Sequence, residues 1–294
     1  MALAHILRRA TTLIALLLTS PYAMAIDLTT LWDFRQPELS EQRFRAALAN
    51  ASGNDALILQ TQIARTYGLR KDFAKTRELL QAVEPRMKAA GAEARTRFAL
   101  ELGRSYASAT HPPETQTAET RALARQAYES ALGVARSAKL DGLAIDAIHM
   151  LAFVDTAPAD QLKWAQAALE VVEGSTQTGA KQWEPSIRNN LGMALHALGR
   201  YEEALAEFKR AVVLREQGKN AESVRVAHWM VAWTLRALKR NAEALTLQLR
   251  LERECDAAGE PDPYVFEELE ILYKDQGDPA RAAHYSARKK ALSK

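Results

Sequence analysis

The chain has 294 residues, 39 Lys and Arg beside 36 Asp and Glu, and one cysteine. A balance this even argues against a nucleic-acid binder, which carries a basic surplus or stripe, and a single cysteine excludes an intramolecular disulfide framework. Abundant Ala with few aromatic residues suits close helix–helix contact better than a thick β core.

The first residues have the pattern of an export signal. Arg8 and Arg9 precede an apolar stretch from Ala10 to Leu18, Pro21 breaks it, and Ala23-Met24-Ala25 is a small-x-small cleavage site. The stretch is about half the roughly 20 apolar residues that a membrane span needs. Cleavage of residues 1–25 is therefore expected, with a mature chain beginning at Ile26 in the periplasm or outside the cell. Its charge is then 37 basic residues against 36 acidic ones. No later run is apolar for long enough to insert into a bilayer.

After Trp32-Asp33-Phe34, Ser40 is expected to cap a lone helix carrying Phe44 and Ala47. The next stretch pairs a helix with Ile63, Ala64 and Tyr67 to one with Leu80 and Val83, across a turn at Asp72-Phe73. A similar pair follows, Leu102-Gly103 and Tyr106 with Ala124, Tyr128 and Ala131. Between these two helices lies residues 108–120, where His111-Pro112-Pro113 cannot continue a helix. An exposed loop is expected there. A third pair is degenerate, with Ile148-His149 where a small residue belongs and Gln161, Ala165 and Ala168 along the second helix. The clearest copy is Asn190-Leu191-Gly192, a turn at Gly199-Arg200-Tyr201, then Ala204, Phe208 and Ala211. Val231-Ala232 with Ala244 and Leu251 follow, and an eroded last copy turns at Gly277-Asp278-Pro279. Cys255 sits on a helix as a small packing residue. The basic residues of the final helix, Arg281, Arg288, Lys289, Lys290 and Lys294, read as a solvated end cap that favours the helix dipole.

These helix pairs, with small residues where backbones touch and an aromatic in the gap, resemble the tetratricopeptide repeat. The repeat spacings of 36 to 48 residues exceed the family period of about 34 and resemble the extended repeats of the kinesin-light-chain type. The resemblance implies an all-α fold, a right-handed α-solenoid of tandem antiparallel helix pairs. It would fill residues 26–294 with about six repeats and an N-terminal half repeat.

The resemblance also implies that the first helix of each pair lines a concave groove that binds a protein or peptide. Carrying the groove positions across from the Leu-Gly anchors selects Arg65, Arg97, Arg104, Asn189, Met193, His196, Trp229, Trp233 and Arg236, with Thr61, Leu100, Asp146, Met150, Glu267 and Lys274 beside them. Three arginines suit a carboxylate, or else pair with Glu101 and Asp72. Trp229 and Trp233, four residues apart, share one helical face and form either an aromatic anchor or inter-repeat core. No zinc, nucleophile-elbow, phosphate-loop or Cys-x-x-Cys motif is present. Ser286-Ala287-Arg288-Lys289 matches Ser-x-x-Lys only in form. The sequence therefore points to an exported, non-enzymatic scaffold without a cofactor. The other readings are a structural envelope protein that self-associates, and a hydrolase using His111.

Overall fold

The computed structural model describes residues 26–292 apart from position 219; residues 1–25, on which the expected export signal falls, and Ser293 and Lys294 lie outside the described residues. A lone helix α1 (Pro37–Leu48) leads into α2 (Gly53–Leu69) and α3 (Phe73–Met87), then α4 (Ala92–Tyr106) and α5 (Ala118–Ser137), then α6 (Asp141–Val154) and α7 (Pro158–Gly174). One short turn of helix, α8 (Thr178–Lys181), intervenes before α9 (Glu184–Ala197) and α10 (Tyr201–Glu216). The chain continues through α11 (Ala221–Ala237) and α12 (Asn241–Ala257) to α13 (Pro263–Asp275) and α14 (Pro279–Leu292). Among the described residues there is no strand, and consecutive helices pack on one another throughout.

Local chemistry marks the helix boundaries. Asp72, Thr117, Asn220 and Asp262 accept hydrogen bonds from backbone N–H groups of the turns they begin, satisfying donors that the helix cannot. Pro37, Pro158, Pro185 and Pro263 stand in first turns, where no amide donor is missed. Four pairs turn through a left-handed residue at one recurring place: Lys71, Gly199, Lys239 and Gly277, with φ from 61 to 74°. Two of the four are lysines, for which this conformation is strained.

The pairing is fixed by small residues facing large ones. A Cβ added at Gly192 would meet the Phe208 ring at 2.6 Å, and one at Gly103 would strike Tyr128 closer still. Leu80, Tyr128 and Phe208, all fully buried, fill the corresponding gap in three units. The apolar interior is handed along the chain as four successive clusters, centred on Phe44 and Ile63, on Tyr128 and Ile148, on Phe208 and Val231, and on Phe266 and Tyr285.

Three expectations require correction. Ser40 does not cap α1 but lies buried within it, its hydroxyl donating to the Asp33 carbonyl at 2.9 Å and accepting from the Asp33 N–H at 2.7 Å. It thereby straps the Trp32-Asp33-Phe34 segment to the helix. His111 is buried, stacked on Phe73 at 3.6 Å, with its Nε2 3.3 Å from the Ser105 carbonyl. The rest of that stretch is largely exposed, as expected, at Ala109, from Pro112 to Thr115 and from Thr117 to Glu119. In α14, Arg288 pairs with Glu252 and Asp256 of α12 and lies over the Phe266 ring, so this residue ties the last helix down, whereas Arg281 and Lys290 stand in solvent as expected and Lys294 lies outside the described residues. At the other end of the chain, the Arg35 guanidinium comes within 3.9 Å of Glu222 at the start of α11, both side chains exposed.

Candidate partner-binding groove

First helices of successive pairs approach one another in three places, α2 with α4, α4 with α6 and α11 with α13, whereas no two second helices come as near among the described residues. A stack in which one row touches and the other spreads must curve toward the touching row. The first helices therefore line the inside of the curve, and the nine groove positions all lie on them: Arg65 on α2, Arg97 and Arg104 on α4, Asn189, Met193 and His196 on α9, Trp229, Trp233 and Arg236 on α11. They divide into chemically distinct zones.

In the basic zone the arginines meet carboxylates of the chain itself. Arg104 donates to Glu101 at 2.6 Å and to Asp146 of α6 at 2.5 Å, Arg65 lies 3.6 Å from Glu101, and Arg97 pairs with Glu93 at 2.8 Å. Glu101, not Asp72, is the shared acid. Burial opposes charge on Asp146, but the guanidiniums of Arg104 and Arg65 outweigh it and hold its pKa below the ordinary carboxylate value. For Arg65, burial and the neighbouring Arg104 press the pKa down. Its Nε has no partner, and its guanidinium lies 5.5 Å from the ring centres of both Trp32 and Phe34, a cation–π arrangement.

Beside this zone is a cavity of about 260 Å³ between α6, α7 and α9, lined by His149, Phe153, Trp164, Ala165, Asn189 and Met193 among others. Phe153 also lines a neighbouring cavity of about 160 Å³ beside Arg65 and Arg104. Phe153, which thus connects the two, and Met193 of the larger cavity are about two-fifths exposed. Asn190 Nδ2 donates to His149 Nδ1 at 3.2 Å, and burial lowers the His149 pKa, so its ring is neutral at pH 7.

The third zone is a ladder of rings crossing three inner helices. His196 stacks on Trp233 at 3.4 Å, Trp233 on Trp229 at 5.8 Å, and Tyr264 of α13 stands edge-on to Trp229 at 6.2 Å. The two tryptophans are half-buried, supporting the inter-repeat core with one part of the ring and facing the groove with the other. His196 Nε2 and Trp229 Nε1 are buried without hydrogen-bond partners, the sort of unmet polar group that calls for an explanation. Arg236 closes the zone with two 2.7 Å bonds to Glu268.

Four residues of this surface, His149, Phe153, Trp164 and Tyr264, were not among the groove positions read from the sequence. For His149, Phe153 and Trp164 the signal was the break in the third pair, where Ala165 stands in the aromatic's place and His149 in the glycine's; Tyr264, on α13, had none.

The tetratricopeptide repeat family model matches residues 183–252. No curated protein sequence matches significantly. Among solved structures, the chain is similar to a signal-transduction ATPase with a tetratricopeptide repeat sensor from Pyrococcus horikoshii, with a TM-score of 0.66 and 13% identity over 87% of this chain, which spans only 39% of that protein. A kinesin light chain of nearly identical repeats from Podospora anserina gives a TM-score of 0.52 and 19% identity, over 72% of this chain and 100% of that one. A Rap protein in complex with competence and sporulation factor gives 0.52 and 14%, over 90% and 85% respectively. At such identities the likeness speaks for the fold alone. The chain thus carries tetratricopeptide-repeat sequence over residues 183–252, and a tetratricopeptide-like helix-pair fold runs through the rest of the described chain.

Proposed function

We propose that this protein is an exported, non-enzymatic scaffold that holds a protein or peptide partner along its inner helices. The observation carrying this reading is the ring ladder from His196 to Tyr264, with its partly exposed faces and two unmet polar nitrogens. Half-buried tryptophans on a concave wall offer large contact area at low conformational cost, which is why such residues dominate binding energy. The similarly folded Rap protein, solved with competence and sporulation factor bound, lends support.

Affinity capture from the cell envelope with the chain from Ile26 tests the reading, using Trp229→Ala/Trp233→Ala as control. A reproducible partner lost in the control is expected, together with Trp fluorescence that a soluble quencher reaches in the free protein and not in the complex. Normal capture by the folded double variant would dismiss the ladder. Export is tested separately by sequencing the N-terminus of protein recovered from cells: a start at Ile26 is expected, and an intact Met1 on membrane-held protein would overturn it.

A further inference from the structure

In the repeats with a clear Gly–aromatic pair, one aromatic side chain from the second helix fills the gap beside the first: Tyr128 against Gly103 and Phe208 against Gly192. The third pair exchanges these sizes. Ala165 follows His149 by sixteen residues, the same separation as Phe208 from Gly192, so a methyl group stands where the ring should be. The imidazole does not refill the space; it makes edge-on contact with Phe153 and a tilted one with Trp183. What remains is the 260 Å³ cavity.

We propose that this cavity is a recognition pocket for one aromatic side chain of the partner polypeptide. The proposal rests on the inner face being the binding face, and it names what that face selects. The volume is ample, since an apolar cavity of about 150 Å³ already accommodates benzene. The buried walls are apolar, from Ile148, Ala165, Ala168 and Ile187, and Trp164 and Phe153 add flat surfaces suited to offset or edge-to-face ring contact. Its Phe153 and Met193 edge is exposed on the inner face, between the arginine zone and the ring ladder. A ring supplied from outside thus completes the packing that the chain omits.

Polar groups at the pocket can hold the backbone that carries the ring. Because Asn190 donates to His149 Nδ1, the neutral imidazole carries its proton on Nε2, which makes no hydrogen bond among the described residues. Gln161 and Asn189 also line the cavity. Together they offer donors and acceptors to a peptide unit.

The test uses N-acetyl-phenylalaninamide and N-acetyl-leucinamide as probes, read by NMR at the His149 imidazole and the Trp164 indole N–H, alongside capture of the partner. Saturable shifts at both groups are expected with the phenylalanine probe, and binding about tenfold weaker with leucine, the scale on which apolar pockets discriminate by shape. Two variants fill the space: His149→Gly/Ala165→Phe, which recreates the pair of the fourth repeat, and Ala165→Leu, a smaller filler. The first should fold with equal or higher thermal stability, both should lose probe binding by about tenfold or more, and both should lose the partner. If the double variant fails to fold, Ala165→Leu decides. Unchanged probe binding in a folded filled variant, or shifts confined to Trp229 and Trp233, would overturn the pocket. Probe binding lost but partner capture intact would assign the pocket to a free small aromatic molecule and overturn the proposed occupant. Capture failing in the parent protein, with probe binding present there and lost on filling, supports the pocket while rejecting the scaffold reading.

Discussion

At the scale of single residues, the register of the repeat rests on contacts with no slack. Gly192→Leu would drive a side chain into the Phe208 ring, and overpacking of this kind costs about 1–3 kcal/mol; thermal unfolding should show the loss, and an unchanged midpoint would refute the register. Gln248 presents the opposite case. It occupies the gap-filling place of the fifth pair, is fully buried, and neither end of its amide has a partner. An unmet buried polar group costs about 1–3 kcal/mol, so Gln248→Met should raise the denaturation midpoint by an amount of that order. A fall in stability would show that the amide is satisfied by water. The lysines at left-handed turns, Lys71, Lys139 and Lys239, are a third kind of strain: Lys239→Gly, at φ 61°, is expected to stabilise by about 1 kcal/mol, measurable in the same scan.

Helices and their pairing were the most legible level of the sequence, because the code for them is local: a small residue, a turn and an aromatic at set spacings. Gly192 with Phe208 and Gly103 with Tyr128 could be read directly, and both are in contact distance. What escaped was whatever depends on neighbours distant in sequence. Ser40 looked like a cap because it precedes an apolar helix, but Pro37 starts α1 a turn earlier and turns the hydroxyl toward Asp33. His111 looked exposed because two prolines follow it, yet Phe73 of α3 receives its ring. The arginines were visible on α2 and α4, whereas Asp146, the acid that meets Arg104 across α6, belongs to a helix whose register was the poorest. That cluster has an electrostatic consequence. The folded-state pKa of Asp146 is depressed, so its carboxylate contributes stability that is fully present above the unfolded value of about 4 and is lost as pH falls below it. Asp146→Asn would leave the largely buried Arg104 guanidinium with Glu101 as its remaining acid, at a cost of about 1–3 kcal/mol, and should flatten the acid limb of a stability–pH profile. A profile with the same slope as the parent would exclude Asp146 from acid unfolding.

For the whole molecule, a core built as four linked clusters means that shape is set by the sum of small neighbour-to-neighbour angles. The approach of Arg35 to Glu222 reports how far that sum has curled, for it brings the first segment of the described chain to the entrance of α11. Both groups are exposed, and exposed pairs hold little. At about 1 M salt, where charges are screened beyond roughly 3 Å, the radius of gyration seen by small-angle scattering should therefore stay unchanged, the curl being held by packing; a larger radius would show that the pair holds it. The pair is in effect a gate across the bowl. Since almost nothing holds it shut, the scaffold reading proposed above implies that a polypeptide need not be fed in by its end and would enter broadside, which would make internal segments of a partner as admissible as its termini.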